Sequence, residues 1–556
     1  MPGSYESVRI GTPAPRRSYP ENMGGSARWA AAAAGVAAAL LGAGAGELVA
    51  ALFAPTSSPF AVVGGALIDA APAWAKDTAI AWFGTNDKIA LLVGIGIVLL
   101  AASAVAGLCE ARWPRSGVIA FAVLGVGVGI LALTRPDAGF TAWVPSVLAG
   151  TAAAVALRLL MRLVPVAAQR MQAGSTPAGT MPGVSADERD SVPASVSGTG
   201  TVSRRRFLAW ATGTAVAGAV LAAAGSLARA GSTAVTAVRE AIRLPRAASP
   251  APATPADAEL GTPGLTPLIT PNQDFYRIDT ALVVPSVDPV DWRLRIHGLV
   301  AHEVTLTWDE LLALPLQETA VTLSCVSNTV GGDLVGNAVW LGYPIRELLK
   351  RAQPDADADM VLSTSVDGFT AGTPLEALTD DRDALLAIGM NGEPLPLEHG
   401  FPVRMVVPGL YGYVSATKWV TDLEVTRFDR ATAYWTDRGW SAKGPIKLQS
   451  RIDVPRARTP IPSGDTMIAG VAWQPHAGVS GVEVQIDDGP WQRAELASAI
   501  SDDTWVQWVL PWQADAGEHE LRCRAIGSDG EAQTGASAPP APDGATGWHT
   551  VAVSVG

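Results

Sequence analysis

The stretch TLSCVSNTVGGDLVGNAVWLG, residues 322–342, decides how this chain is read. An apolar, β-branched run (Ala320, Val321, Thr322, Leu323) leads into Cys325, and glycines follow at 331, 332 and 336. That pattern predicts a strand whose tip delivers a thiol to a Gly-rich loop, a place for a soft metal or a nucleophile. A lone cysteine is more often a small buried hydrophobe, so the surrounding sequence has to decide. The only other cysteine beyond the first half, Cys523, sits mid-strand and reads as a core residue. The third, Cys109, borders an apolar segment. No spacing points to a disulfide.

A chain of 556 residues implies several domains, and mean hydropathy of +0.24 with 17% charged residues puts part of it in a membrane. Through residue 206 there are 16 basic and 11 acidic residues, and beyond it 24 and 41. An acidic second half excludes nucleic acid as a partner. Five apolar stretches are long enough to span a bilayer, at 29–53, 89–109, 116–134, 138–157 and 207–228. A shorter run, Phe60 to Ile68, stops at Asp69 and reads as interfacial or loop. The Lys/Arg-rich connections place residues 1–28 and 164–203 in the cytoplasm and everything beyond Ala228 outside. The expected layout is a four-helix membrane domain over 29–163, a fifth span over 204–229 and an extracytoplasmic linker over 230–263, whose Pro/Ala-rich part, 245–263, reads as a semi-rigid spacer. Glu47 is expected near the outer, watery end of its helix.

Ser203-Arg204-Arg205-Arg206-Phe207-Leu208 is similar to a twin-arginine export signal, and reads equally as a positive-inside anchor. Whether this segment is cleaved stays open. No histidine precedes His297, so the membrane half lacks the usual axial ligands of a b-type haem. Beyond the spacer, strand and helix signals alternate over 264–430, predicting an α+β domain. After a connector at 431–460, five short alternating runs over 461–556 predict an immunoglobulin-like β-sandwich.

TPNQDFYRIDT (270–280), LSCVSN (323–328), NAVWLGYPIRELL (337–349), SVDGF (365–369), MNGEPLPLEHGFPVRMVVPGLYGYVSATKW (390–419) and YWTDRGW (434–440) together resemble the sulfite oxidase family of molybdopterin enzymes. The resemblance implies a molybdenum–molybdopterin cofactor with Cys325 as its protein thiolate. It implies cofactor binding by Tyr276, Arg277, Thr364, Asp367, His399, Arg404, Ser415 and Lys418, and roles near the reacting atoms for Asn328 and Asp279. An Arg fork and a Lys point charge suit the cofactor phosphate, and an Arg inside FPVRMVVP needs an anion in any case.

Two departures bear on substrate. Thr329 stands where sulfite oxidases carry an Arg, and Ile278-Asp279-Thr280 replaces their Arg-Asn-His. Fewer cations and an added carboxylate disfavour a sulfite dianion. The resemblance thus shifts to the branch typified by the periplasmic methionine-sulfoxide reductase catalytic subunit, which removes oxygen from S-oxides or N-oxides. The alternatives are sulfite oxidation or a non-catalytic surface binding protein. No haem, ferredoxin or flavin motif occurs, so electrons are expected from a separate membrane or quinone-linked partner. In the family the C-terminal module often supports homodimers.

Overall fold

Residues 25–53 hold no charge except Arg28 and Glu47 and are dominated by Ala, Gly and Leu, which makes them helical once water is removed. In the computed structural model they form α1 (Gly25–Phe53), followed by α2 (Pro59–Ala70), α3 (Asp87–Arg112), α4 (Ser116–Leu133), α5 (Val144–Met161) and α6 (Arg204–Ala230). The structure describes residues 25–72, 87–136, 138–164, 204–230 and 233–556, with single positions between 73 and 86. Most of the expected cytoplasmic tail and linker, and Ser203 of the arginine motif, lie outside these residues.

Five helices, all but α2, are long and apolar enough to cross a membrane. The fourth begins at Val144 rather than Ala138, because Gly139 disfavours a helix and Pro145 suits its first turn. The chain divides into two compact units, and these helices make up most of the first. They approach through small residues. A Cβ at Gly44 would collide with the carbonyl of Gly218, and one at Gly125 with the backbone of Gly150. Glu47 lies in the last two turns of α1, where it is buried and accepts a hydrogen bond from Ser58 Oγ at 2.7 Å. The Ser58 hydroxyl supplies what solvent would have given.

The second unit holds residues 64–90, 135–137 and 231–556. Its first half has two sheets. One runs β2 (Val304–Thr307), β1 (Arg293–Gly298), β10 (Val420–Thr426), β5 (Met360–Ser365), β6 (Thr370–Pro374), with β1 and β10 parallel. The other runs β3 (Gln317–Ser324), β4 (Val335–Pro344), β7 (Leu385–Met390), β8 (Glu393–Pro394), with β9 (Arg404–Val406) against β7. Trp292, Leu294, Ile296, Leu348, Val361 and Leu423 form one continuous core, and Val321, Leu323, Trp340, Leu385 and Phe401 a second. Each fully buried side chain of this size is worth about 1.5–3 kcal/mol. Thr307 opens the helix Trp308–Leu312 with a capping box: its hydroxyl accepts from Glu310 N at 3.2 Å, and the Glu310 carboxylate accepts from Thr307 N at 2.8 Å.

The second half holds two four-stranded antiparallel sheets. The first contains β11 (Gln449–Val454), β12 (Gly464–Trp473), β15 (Glu495–Leu496) and β16 (Val506–Ala514). The second contains β13 (Val479–Ile486), β14 (Gln492–Arg493), β17 (Gly517–Gly527) and β18 (His549–Val555). Ile452, Ile468, Val482, Trp508, Cys523 and Val553 pack between them.

The linker expected over 230–263, spacer included, is instead bound to this unit. Arg239 donates to the carbonyls of Leu395 and Pro394, Glu318 N donates to Ser249 O, and Ala258 is fully buried. Val235 on the helix Thr233–Ala241 and Ala258 are buried, with Ile242 and Leu244 packed beside the core, and the extended backbone after the helix pairs with a strand edge.

Candidate active site

Cys325 follows the last residue of β3. Its backbone N donates to Leu334 O at 2.9 Å, and its carbonyl accepts from Asn328 N at 3.1 Å, so the loop 325–334 closes on itself. Asn328 completes the closure by accepting from Leu334 N at 2.9 Å. Its side chain therefore braces the loop and is not part of the cavity wall. Gly331 holds φ +76°, and a Cβ there would run into the His549 ring. That is a position only glycine fills.

Cys325 lines a cavity together with Phe275, Tyr276, Asp279, Ser327, His399, Arg404 and Lys418. Ser365, Asp367, Phe369, Tyr413, Trp435 and Trp440 line it as well. Seven residues named from the sequence thus meet in one place: Cys325, Tyr276, Asp279, Asp367, His399, Arg404 and Lys418. The remaining four do not line it. Arg277 lies behind, donating to Asp279 Oδ2 at 3.0 Å. Asn328 braces its loop. Thr364 points off β5, one residue before Ser365, as strand alternation requires. Ser415 is fully buried and donates to Tyr411 O at 2.9 Å, back into its own turn. Missed from the sequence were Ser327, Ser365, Phe369, Tyr413, Trp435 and Trp440. All but Ser327 and Tyr413 fall in SVDGF and YWTDRGW, where a polar or aromatic side chain beside a turn was the available signal.

Charge in the cavity is unevenly compensated. Lys418 Nζ donates to Asp279 Oδ2 at 2.6 Å and to Glu398 O at 3.0 Å, with both side chains of the ion pair at most one-tenth exposed. Burial pulls the Lys418 ammonium down to about 8, Asp279 opposing. Arg404 is buried on β9, and its guanidinium donates only to the carbonyls of Met405 and His399 and lies 5.0 Å above the Trp340 ring. No carboxylate pairs with it among the described residues. Burial lowers it to about 10. His399 donates or accepts at Asn272 O (3.1 Å), and burial, with Arg404 and Lys418 adding, lowers it to about 4, so it is neutral at pH 7. Burial pushes the Cys325 thiol up, the Ser327 backbone and side chain opposing.

These features fit a molybdopterin. A buried, unneutralised guanidinium calls for an anion. Ser365 Oγ is buried in the cavity wall with no hydrogen-bond partner. A soft thiol opens into the same space, and a metal would displace its proton.

The profile described as "Oxidoreductase molybdopterin binding domain" matches residues 281–435. Mouse (Mus musculus) sulfite oxidase is 30% identical over 321 residues, 49% of this chain and 58% of that one. The uncharacterized oxidoreductase YuiH of Bacillus subtilis is 32% identical over 180 residues, which are 32% of this chain and 87% of YuiH. The chain belongs to the sulfite oxidase family. It carries the molybdopterin-binding oxidoreductase domain of that family. The match spans under two thirds of the length of the mouse enzyme. The sulfane dehydrogenase SoxCD of Paracoccus pantotrophus is matched at 26% identity over 48% of this chain and 74% of that one, with TM-score 0.44. As a sulfite oxidase family member the chain keeps the thiol, the buried Arg404 and the His399 turn in one cavity. Phe275, Tyr276, Phe369, Tyr413, Trp435 and Trp440 make the lining rich in aromatic rings.

Proposed function

We propose that the protein is a membrane-anchored, outward-facing oxygen-atom-transfer enzyme that reduces S-oxides or N-oxides. One observation carries the substrate class. Lys418 in the cavity lining and Arg277 behind it both bond Asp279, while Phe369, Tyr413, Trp435 and Trp440 give the same cavity an aromatic lining. A neutral oxide with apolar substituents suits that lining, whereas a sulfite dianion would have to compete with a carboxylate.

Cys325, Arg404, His399, Ser365 and Asp367 would hold the cofactor, which supplies two-electron oxygen-atom exchange with the substrate. Removing an oxygen as water consumes two protons, and the Lys418–Asp279 pair is the proton-bearing group in the cavity suited to deliver one. Tyr276, whose hydroxyl burial keeps protonated, would orient the oxide. The chain needs an electron donor, for which a separate membrane or quinone-linked protein is the fitting class.

The extracytoplasmic placement is supported by agreement between two independent features. Positive-inside bias puts the connection after α1 and the one after α4 on the side of the domain beyond residue 228. Residues 64–90 and 135–137, taken from those two connections, belong to the same compact unit as that domain. The C-terminal pair of sheets is read as an immunoglobulin-like module that could dimerise.

The test is a comparison on the full chain purified with cofactor. Reduced benzyl viologen is paired with methyl p-tolyl sulfoxide and trimethylamine N-oxide, and ferricyanide with sulfite. Oxide reduction exceeding sulfite oxidation is expected. Faster sulfite oxidation would overturn the substrate class, and absence of molybdenum from active protein would overturn the whole reading.

A further inference from the structure

Two short stretches lying far upstream in sequence reach motifs that supply aromatic residues to the cavity lining. Within the second unit, Asp69 at the end of α2 pairs with Arg135 at 2.5 Å. Its carboxylate accepts from the Tyr434 hydroxyl at 3.3 Å, and its backbone carbonyl from Arg438 Nη2 at 3.3 Å. The Arg438 guanidinium lies 3.6 Å from the Tyr434 ring centre. Tyr434 in turn packs edge-on against Trp435 at 5.2 Å and at a tilt of 52° against Phe369 at 5.8 Å. Trp435 and Phe369 both line the cavity.

Pro136, adjacent to Arg135, lies against Gly368, where an added Cβ would collide with the proline ring. Gly368 sits between Asp367 and Phe369, two lining residues, in a turn with φ +85°. The stretches 64–70 and 135–136 therefore touch the two motifs, SVDGF and YWTDRGW, that carry Phe369, Trp435 and Trp440 of the aromatic lining.

We infer that Asp69, Arg135 and Pro136 are positioning residues for the aromatic lining. Asp69 acts through Tyr434 on Trp435 and Phe369, and Pro136 through Gly368 on the Asp367–Phe369 turn. The short stretches 64–70 and 135–136 are then part of the substrate-selecting apparatus. Bulky neutral oxides, which use the whole aromatic lining, depend on these contacts more than small ones do. The choice of oxide rests on the proposed function, but the structural arm of the test does not.

The experiment uses the full chain in detergent. Hydrogen exchange followed by mass spectrometry is read on peptides covering 365–369 and 434–440. Asp69→Ala is expected to raise exchange in both by about three- to tenfold, the effect of one partly exposed hydrogen bond. Asp69→Asn keeps an acceptor for the Tyr434 hydroxyl and stays near wild type. Tyr434→Phe, which removes only the donor, reproduces Asp69→Ala, and the double variant adds nothing further. In turnover, Asp69→Ala raises KM for methyl p-tolyl sulfoxide by about three- to tenfold with kcat within about twofold, and leaves dimethyl sulfoxide unchanged. Unchanged exchange in Asp69→Ala and Tyr434→Phe, or additive effects in the double variant, would overturn the inference. If wild type reduces no oxide, the functional reading fails while the exchange result still decides this one.

Discussion

Cys325 is a buried thiol that burial keeps protonated, so as a free side chain it is inert. Its reactivity depends on a metal taking the proton. Cys325→Ser is expected to leave the circular dichroism spectrum unchanged and to lower molybdenum-dependent turnover by at least about 10³-fold, checked by metal analysis alongside dye-linked assay. His399 gives a pH prediction with a definite sign. Its folded value is about 4, below the ordinary 6.5, because burial and two cations disfavour the charged ring. A neutral buried His contributes fully above 6.5, and that contribution is lost as pH falls from 6.5 towards 4. The loss is up to about 3 kcal/mol. Thermal melts of wild type should therefore fall more steeply between pH 7 and pH 5 than those of His399→Gln. Lys418 sets the opposite limb. With its ammonium drawn down to about 8 and Asp279 opposing that shift, oxide turnover is expected to fall above about pH 8. Asp279→Asn should move that limb to lower pH, read from the pH–rate profile.

At the scale of elements, the loop 325–334 is where sequence and structure are easiest to compare. The strand into Cys325 and the glycines after it were legible because alternation and glycine each have a local cause. So were the strand at 293–298, the capped helix at Trp308 and the apolar helices, whereas the seven cavity residues were reached through the family resemblance, and the structure brings them to one cavity. What was not legible depends on which partner each side chain meets and which face it takes, which the motifs leave unspecified. Asn328 looked chemical from its place three residues after the thiol, yet its carbonyl oxygen is consumed by Leu334 N. Ser415 looked available and is spent on its own turn. Thr364 and Ser365 exchange roles because a strand shows alternate faces. The proline-rich run read as a spacer on composition, and only the strand edge and carbonyls it meets show otherwise. Gly331→Ala tests the loop itself. At φ +76° and against His549, it should cost about 1–3 kcal/mol in denaturant unfolding. Asn328→Ala should instead lower molybdenum retention through a looser loop, without abolishing turnover.

At the scale of the molecule, the C-terminal sheets hold the thiol loop from behind. Arg451 on β11 donates from Nη1 to Gly332 O at 2.8 Å and from Nη2 to Thr266 Oγ1 at 2.9 Å, and its Nε pairs with Asp453 at 2.6 Å. His549 on β18 accepts from Ile452 N at 3.0 Å while its ring meets Gly331. Trp505 donates from its backbone to Thr322 Oγ1 and from its indole to Leu268 O, both at 2.8 Å. Thr322 lies three residues before the thiol, so both ends of the strand–loop element carrying Cys325 rest on this half. The consequence is cooperative: the two halves of the second unit should unfold in one transition, with the C-terminal sheets acting as the back wall of the site. Arg451 and Asp453 are each about nine-tenths buried. Arg451→Ala therefore strips a buried carboxylate of its partner and is expected to cost about 3–5 kcal/mol, whereas Arg451→Met with Asp453→Leu should cost far less. If the sheets brace the loop, Arg451→Ala also lowers the molybdenum content of otherwise folded protein, and the paired substitution does not restore it, because the Gly332 contact is still gone. Equal metal content in wild type and both variants would show instead that the loop holds its shape alone.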